Sequence, residues 1–357
     1  MVSVTIDLGA LRHNLQVVRR LAPKSRVMAV IKANGYGHGL VAAARALASA
    51  DALAVARVGE ALILRDAGVR TPIVLLEGVL DREQLEAAAA ADLELFVHSM
   101  EQLDLLKEAS AGARFKVWLK LDSGMNRLGF KGGAFHEAHA TLGALSCVQR
   151  PVNLCTHLAS ADLPELPTTA EQLMVFAAAT RSLPGQRSVG SSAAILGFPE
   201  SHADWVRPGL MLYGISPFRG ATGADHGLRP VMTLCSRVIA VKDLSEGEQV
   251  GYGGDWTATR PTRLAIASVG YGDGYPRSAA SGTPVLVNGE SGALAGRVSM
   301  DMLAIDITEV RSPVRVGHPV VLWGEGLPVE QIALWAETAS YTVVCGISQR
   351  VAVTFRE

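Results

Sequence analysis

Residues 27–49, VMAVIKANGYGHGLVAAARALAS, contain the pattern that decides the fold. The apolar run Val27–Ile31 predicts a buried strand, and the Ala/Leu-rich segment Gly39–Ser49 predicts the helix that follows it. A single charged residue, Lys32, comes directly after the strand, and a glycine-rich turn separates it from the helix. The stretch therefore predicts one β-α unit with a polar side chain at the carboxyl end of its strand.

The same unit recurs along the chain to about residue 215. The eight predicted strands are Val27–Ile31, Ala52–Ala56, Pro72–Leu76, Leu93–Val97, Phe115–Leu121, Val152–Thr156, Arg187–Gly190 and Val206–Leu212. The helices predicted between them are Gly39–Ser49, Gly59–Ala67, Asp81–Ala91, Met100–Ala109, Ala134–Leu145 and Ala170–Ser182. Strands that alternate with helices pair in parallel through right-handed crossovers, so eight such units favour a closed (β/α)8 or TIM barrel.

The pattern changes after about residue 230 to β-rich stretches with glycine turns. The predicted strands there are Met232–Val241, Gln249–Tyr252, Arg263–Val269, Pro284–Val287, Leu303–Ile307 and Val320–Trp323, with one helix at Val329–Ala339. We therefore predict an α/β chain with a barrel at residues 1–230 and a smaller, mostly β domain at residues 231–357. The first few residues of the chain can pack with the second domain in this arrangement.

Composition narrows the classes of partner. The formal net charge is −1 and charged residues make up 19% of the chain, so a nucleic-acid partner is not expected. The start of the chain lacks a signal-peptide pattern, and no uncharged stretch reaches the roughly 20 residues that span a bilayer. We expect a cytoplasmic protein without a membrane partner. The cysteines, Cys147, Cys155, Cys235 and Cys345, form no C-x-x-C pair, which predicts reduced thiols and no metal site.

Chemistry in a (β/α)8 barrel belongs at the carboxyl ends of the strands, and Lys32 occupies such a position. A lone lysine at a strand end is often a surface residue that extends into water. At a barrel mouth, however, partial desolvation is expected to let the amine lose its proton and form a Schiff base with an aldehyde. Lys32 is therefore the candidate covalent anchor for a cofactor.

Other strand ends bring further polar groups to the same mouth. Arg127 follows the fifth strand and offers a planar donor fork, although its spacing from Asp122 equally allows a surface ion pair. His157 follows the sixth strand and is either a core side chain or a group that stacks on a planar ring. Gly190-Ser191-Ser192 follows the seventh and suits a phosphate or an ordinary turn, and Arg207-Pro208-Gly209 lies at the eighth. Together these groups fit an anionic, planar cofactor that carries an aldehyde.

The segment Val30-Ile31-Lys32-Ala33-Asn34-Gly35-Tyr36-Gly37-His38-Gly39 closely resembles the pyridoxal 5'-phosphate (PLP) attachment signature of alanine racemases, which are fold-type III PLP enzymes. Matches to this family extend over essentially the whole chain. They include residues 122–129, Thr156-His157, 207–214, 250–253, 270–274 and 299–302. Several of these lie in the second domain, which makes a chance similarity between barrels improbable.

The resemblance implies a role for each matched position. Lys32 would hold PLP and act as the base for the D-enantiomer, and Tyr252 would be the opposing base for the L-enantiomer. The residues implied in cofactor binding are Lys32, Tyr36, His157, Ser192, Arg207, Gly209, Leu210 and Tyr341, and those implied in substrate binding or entry are Arg127, Met300 and Tyr271. In this family Tyr252 and Met300 act from the partner subunit, which implies a head-to-tail homodimer.

Two positions qualify this picture. The family usually has Asn-Ser where this chain has Ser191-Ser192, and a serine cannot reach as far as an amide. Lys120 matches a position that is carbamylated in some family members, which would replace a positive charge beside Arg127 with a negative one. Carbamylation of Lys120 is a hypothesis at this point.

The predicted activity is interconversion of L-alanine and D-alanine by two bases on opposite faces, Lys32 and Tyr252. Racemisation of serine or of a broader range of amino acids remains open, as does a biosynthetic or catabolic role. PLP decarboxylases with the same barrel typically carry a Cys-Glu-Ser segment near the C-terminus, which this chain lacks. A non-catalytic PLP carrier is the remaining alternative, and the second domain with Tyr252 and Met300 argues against it.

Overall fold

A computed structural model describes residues 2–357 and contains a closed parallel barrel. Strand β1 (Ser3–Asp7) and helix α1 (Leu8–Leu21) precede it. The barrel strands are β2 (Arg26–Val30), β3 (Ala52–Val55), β4 (Ile73–Leu75), β5 (Leu93–Val97), β6 (Val117–Lys120), β7 (Asn153–Cys155), β8 (Arg187–Ser191) and β9 (Trp205–Arg207). Each strand pairs in parallel with the next, and β9 pairs with β2 to close the barrel. The predicted fold class is confirmed.

Helices follow the barrel strands on the outside. They are α3 (Leu40–Ala46), α4 (Val58–Asp66), α5 (Arg82–Ala90), α6 (Met100–Lys107), α7 (Gly132–Ala144), α8 (Thr168–Thr180) and α9 (Ser192–Gly197). The short segment α2 (Lys32–Tyr36), between β2 and α3, is a turn with a left-handed backbone, as the glycine-rich sequence predicts. All six helices predicted in this half are present with shifted ends, whereas α1 and α9 were not predicted. No helix within residues 2–357 combines the length and the apolar character needed to cross a lipid bilayer.

The barrel interior is filled by side chains. Trp118 packs edge-on against Trp205 with ring centroids 5.8 Å apart, and Phe96 lies next to Trp118. The indole Nε1 of Trp118 donates to the carboxylate of Glu94 at 2.8 Å, and Lys116 donates to the other oxygen of Glu94 at 2.8 Å. Because the interior is packed, ligands can reach the barrel only at its ends.

The second half of the chain forms a mostly β domain. Its elements are β10 (Met232–Leu244), β11 (Gln249–Val250), β12 (Trp256–Thr257), β13 (Thr262–Ala267), β14 (Pro284–Val287), β15 (Glu290–Leu294), β16 (Leu303–Asp306), β17 (Pro319–Trp323), α10 (Val329–Trp335), α11 (Ser340–Cys345) and β18 (Ala352–Arg356). One eight-stranded sheet has the order β13-β16-β15-β14-β17-β10-β1-β18. Strand β1 thus joins this sheet, between β10 and β18, and not the barrel.

Three predicted elements extend well past the ends of the observed ones, and these predictions are wrong in their boundaries. The predicted strand Val206–Leu212 ends at Arg207, because Pro208 has no N–H to donate to a sheet and the chain turns into a 3-10 helix at Leu210–Tyr213. The predicted strand Gln249–Tyr252 ends at Val250, and Tyr252 begins a 3-10 turn. The predicted helix Val329–Ala339 ends at Trp335, and a separate helix, α11, follows it.

Helix α11 of the second domain packs directly on the turn that follows Lys32. Gly37 has a left-handed φ of 81°, and a Cβ atom built there would lie 2.3 Å from the carbonyl oxygen of Val344. Only glycine fits a position that is both left-handed and this close to another backbone. The contact ties the barrel mouth to the second domain.

This contact predicts that Gly37→Ala destabilises the chain. Strain in φ and the clash with Val344 should together cost about 2 kcal/mol or more, which corresponds to a melting temperature lower by roughly 3 °C or more. The matched control is Gly143→Ala in helix α7, where an added Cβ meets no atom within 4 Å. Thermal unfolding followed by circular dichroism measures both variants. An unchanged melting temperature for Gly37→Ala would contradict the close contact.

Candidate active site

Lys32 begins a turn with an unusual backbone. Ala33, Asn34 and Tyr36 all have left-handed φ values, of 53°, 55° and 52°. Each non-glycine residue in this region costs roughly 1–2 kcal/mol, and such strain is concentrated at functional sites. Two side chains stabilise the turn: the amide of Ala33 donates to Glu60 at 2.7 Å, and the amide of Leu40 donates to Asn34 at 2.9 Å.

The Lys32 side chain itself is exposed in the single chain. It lies at the carboxyl end of β2, as predicted. This chain's own residues do not cover the side chain, and the partial desolvation expected for its amine stays a prediction.

A stack of aromatic rings packs against the turn that follows Lys32. The rings of Tyr36 and Tyr213 are stacked with centroids 4.7 Å apart, and His38 packs on Tyr213 at 4.5 Å. The Tyr213 hydroxyl donates to the carbonyl of Val30 at 3.2 Å. Burial raises the pKa of Tyr36 to about 12, so Tyr36 is a neutral hydroxyl at physiological pH. That hydroxyl has no hydrogen-bond partner among residues 2–357.

The ends of strands β8 and β9 place a small cradle beside Tyr36. The Ser192 oxygen accepts from the amides of Gly209 at 3.0 Å and Met211 at 3.2 Å, which leaves its hydroxyl proton free to donate. The amide of Leu210, between them, donates no hydrogen bond in the part of the chain described. A Cβ atom at position 209 would lie 2.5 Å from the Tyr36 oxygen. The structure therefore brings together Tyr36, Ser192, Gly209 and Leu210, four of the residues that the family resemblance implies in cofactor binding.

Ser191, the position that departs from the family pattern, precedes this cradle. It is partly buried at the end of β8, and its side chain makes no capping hydrogen bond to α9. The cradle is therefore built from the other residues, without a contribution from the Ser191 side chain.

Arg207 is a buried cation at the mouth, with 5% of its surface exposed. Its guanidinium donates to the Ser188 hydroxyl at 2.7 Å and to the Thr156 carbonyl at 2.6 Å, and it lies 6.0 Å from the Phe96 ring centroid. No carboxylate within residues 2–357 pairs with it. Burial lowers the pKa of Arg207, yet a guanidinium keeps its proton in proteins. A buried cation without an acid is costly unless a ligand supplies the negative charge.

His157 lies against Arg207, with Nδ1 of the imidazole 3.4 Å from the guanidinium. Burial and the neighbouring cations, Arg207 first among them, lower the pKa of His157 to about 3. The ring is therefore neutral, and this contact places the ring proton on Nε2 while Nδ1 accepts. His157 is thus a partly buried side chain that lies within the candidate site.

Lys120 and Cys155 complete the buried wall. Burial lowers the pKa of Lys120, and the charges of Arg207 and Arg127 lower it further. Burial raises the pKa of Cys155 to about 11, so this thiol is neutral. The wall therefore has an excess of positive charge, which suits an anionic ligand.

Arg127 and Asp122 do not form the surface ion pair that their spacing allowed. Asp122 accepts hydrogen bonds from the amides of Gly124 at 3.1 Å and Asn126 at 3.0 Å, and its charge lies 3.6 Å from Lys131. No acid in the described chain pairs with Arg127, which is exposed. The ion-pair interpretation is wrong, and Arg127 keeps its donors free.

Four predicted residues come from the second domain. Tyr252 is 71% exposed, Met300 is 53% exposed, and Tyr271 and Tyr341 are also exposed. Tyr341 lies close enough to Tyr36 to influence its pKa, whereas no hydrogen bond links the Tyr252 side chain to the barrel within residues 2–357. One chain thus brings most of the predicted cofactor-binding residues together. It does not bring Tyr252 to Lys32, so the two predicted bases do not face each other within one chain. Residues 2–357 contain no cluster of three or more potential metal ligands.

Three residues of the site were not predicted. Ser188 holds Arg207, Tyr213 supports Tyr36, and Glu60 binds the amide after Lys32. Tyr213 lies within a segment that matches the family, which could have suggested a role. Ser188 lies inside a strand, and Glu60 contacts a different β-α unit, so neither gives a local signal in the sequence.

Comparison with known proteins identifies the family. The family model described as alanine racemase, N-terminal domain, matches residues 6–217, and that for the C-terminal domain matches residues 231–355. The chain belongs to the alanine racemase family. It is accordingly an amino-acid racemase, an isomerase, and family membership argues against the decarboxylase and carrier alternatives.

Individual alanine racemases match over nearly their full length. The biosynthetic alanine racemase of Escherichia coli (strain K12) is 48% identical over 354 residues, covering 99% of this chain and 98% of the relative. The alanine racemase of Yersinia pestis is also 48% identical, over 353 residues and with the same coverage. The crystal structure of the biosynthetic alanine racemase from Pseudomonas aeruginosa superposes with a TM-score of 0.96 at 42% identity, covering 100% of this chain and 99% of that one. The structure of the Acinetobacter baumannii alanine racemase gives 0.95 at 38%, with the same coverage.

Two histidines whose pKa values are lowered in the folded chain predict a pH dependence of stability. His157 and His38 have pKa values lowered by burial to about 3 and about 4, from 6.5 in an unfolded chain. Below pH 6.5 the unfolded chain binds protons that the native state does not. Stability should therefore fall as pH decreases from 6.5 to 4, by up to about 1.4 kcal/mol per pH unit for each histidine.

Melting temperatures between pH 7.5 and 4.5 measure this effect. His157→Gln should flatten the dependence, because glutamine keeps an acceptor for Arg207 but does not titrate. His136→Gln, at an exposed position, should leave the slope unchanged. Identical slopes for His157→Gln and the unmodified protein would show that His157 is not held neutral by folding.

Proposed function

We propose that this chain interconverts L-alanine and D-alanine, with PLP held covalently by Lys32. The observation that carries the proposal is the set of unpartnered donors beside Lys32: the Tyr36 hydroxyl, the Leu210 amide and the Ser192 hydroxyl proton. They surround a position where glycine is required against Tyr36. Such a cradle suits a phosphate, and the substrate follows from the alanine racemases that match the whole chain.

The residues at the mouth fit the rest of the cofactor. Tyr36, Ser192, Gly209, Leu210 and Tyr341 would hold its phosphate. When bound, PLP withdraws electrons from the α-carbon of an attached amino acid and so acidifies its α-proton.

Two further residues would face the cofactor ring. Arg207 would face the ring nitrogen as a donor that does not give up its proton, which keeps the electron withdrawal moderate and limits side reactions. Neutral His157 would pack near the ring without adding another charge to the site.

The two bases proposed for proton transfer are Lys32 and Tyr252. The side-chain nitrogen of Lys32 would accept or return the α-proton of the D-enantiomer, and the side-chain oxygen of Tyr252 that of the L-enantiomer. Two bases on opposite faces allow inversion without turning the substrate over. Arg127, with its donors free of acids, would bind the substrate carboxylate.

Tyr252 would reach the site from a second copy of the chain. In the single chain it is 71% exposed, on a turn of the second domain, and Met300 is 53% exposed. An exposed patch of large apolar side chains is typical of an interface. We therefore propose a head-to-tail homodimer in which Tyr252 and Met300 enter the partner's barrel mouth, cover Lys32 and contact the substrate, while Tyr271 lines the entry.

A chiral assay tests the activity. The protein loaded with PLP should form D-alanine from L-alanine without releasing CO2, and parallel assays with serine, lysine and arginine define its range. Lys32→Ala should abolish racemisation and lose the visible absorbance of bound PLP after dialysis, because the covalent anchor is gone. Lys107→Ala, at an exposed position, should retain both. An absorbance that survives dialysis in Lys32→Ala would refute the assignment, and CO2 release would point to a decarboxylase.

Tyr252→Phe tests the two-base scheme. Removing one base should slow α-deuterium exchange from L-alanine about 100-fold or more, and exchange from D-alanine much less. Tyr271→Phe loses the same hydroxyl at the entry and should affect both enantiomers equally. Equal losses from the two enantiomers in Tyr252→Phe would argue against a second base at this position.

A further inference from the structure

Glu60 connects the carboxyl ends of two neighbouring barrel strands. It lies in the first turn of α4, after β3, and its carboxylate accepts three backbone hydrogen bonds. Oε2 accepts from the amides of Ala56 at 2.9 Å and Arg57 at 3.2 Å, both next to β3. Oε1 accepts from the amide of Ala33 at 2.7 Å, in the turn after β2. The two oxygens thus bind different β-α units.

The contact between Glu60 and Ala33 involves the peptide bond that directly follows Lys32. Ala33 is the residue directly after Lys32, and it is the first of the left-handed residues in the turn. The orientation of the Lys32–Ala33 peptide sets the direction in which the Lys32 side chain leaves the backbone. A hydrogen bond from the Ala33 amide to a charged acceptor holds this peptide in a conformation that alanine otherwise avoids.

We propose that Glu60 is a positioning residue for Lys32. Its Oε1 fixes the Lys32–Ala33 peptide, and through it the approach of the Lys32 amine to the cofactor and substrate. This inference rests on the proposed role of Lys32. Glu60 itself touches no reacting atom, and its Oε2 also stabilises the start of α4, so a test must separate the two effects.

The hydrogen bonds of Glu60 suggest a substitution that changes one acceptor and keeps the shape of the side chain. All three groups that bind Glu60 are N–H donors, so both oxygens must accept. Glutamine has the same shape but offers one acceptor oxygen and one NH2 donor. In either orientation, Glu60→Gln turns the NH2 group toward a backbone N–H and loses a hydrogen bond. Glu83→Gln is the control, because Glu83 also lies in the first turn of its helix but is exposed and makes no hydrogen bond within residues 2–357.

The first measurement is amide hydrogen exchange of the peptide that spans residues 31–37, in protein without cofactor. Glu60→Gln should accelerate exchange in this peptide about tenfold or more, and Glu83→Gln should not. The second measurement is steady-state kinetics with alanine after loading with PLP. Glu60→Gln should lower kcat about 10- to 100-fold with KM changed less than about threefold, since a small displacement of a catalytic group affects the chemical step more than binding.

Two outcomes would overturn the inference. Unchanged exchange at residues 31–37 would show that Glu60 does not hold the turn, whatever the activity of the protein. Faster exchange throughout α4 and a lower melting temperature, with kcat unchanged, would reduce Glu60 to a structural role. If the unmodified protein does not racemise alanine, the kinetic arm fails with the proposed function, while the exchange arm still tests Glu60.

Discussion

The left-handed turn after Lys32 is the constraint on which the rest of the site depends. Its backbone is unfavourable for alanine, asparagine and tyrosine, so contacts from outside the turn must maintain it. They come from three directions: the carboxylate of Glu60, the stacked ring of Tyr213, and the carbonyl of Val344 in the second domain. The second domain is therefore part of the support for the barrel mouth, and not only a carrier of side chains for a partner.

Charge is the second organising feature. Arg207 and Lys120 are both buried, and this burial and the charge of Arg207 lower the pKa of Lys120. The groups that Arg207 contacts, such as the Ser188 hydroxyl, are neutral. Such an arrangement weakens the folded state of the chain alone, because desolvated cations lack a counter-charge. The same arrangement favours an anion that enters the mouth. The site thus lowers the stability of the chain alone and raises its affinity for a negatively charged ligand.

The sequence was informative where physical signals are local. Apolar runs alternating with amphipathic segments predicted the barrel, because each β-α unit carries its own periodicity. Strand ends then predicted Lys32, His157 and Arg207 at one mouth, since parallel strands share a carboxyl edge. Local signals gave wrong predictions where residues outside the pattern determine the structure. Pro208 ended a strand whose apolar pattern continued, and the bonds of Asp122 to nearby amides left Arg127 free. The contact of Glu60 with the preceding β-α unit had no sequence signature. The exposure of Lys32 in the single chain had no local signal either, because it depends on which residues from elsewhere cover the side chain.

The position of β1 has a consequence for how the chain is made. Ser3–Asp7 pairs in parallel with Ala352–Arg356, and hydrogen-bonded partners on the two strands are 349 residues apart in the sequence. A ribosome synthesises β1 first and β18 almost 350 residues later, so β1 must wait unpaired on one side throughout translation. The barrel can close in the meantime, because its strands pair in order of synthesis. The eight-stranded sheet reaches its final width only when β18 has emerged, which makes its edge the last part of the structure to form and leaves one side of β1 open to pairing until then.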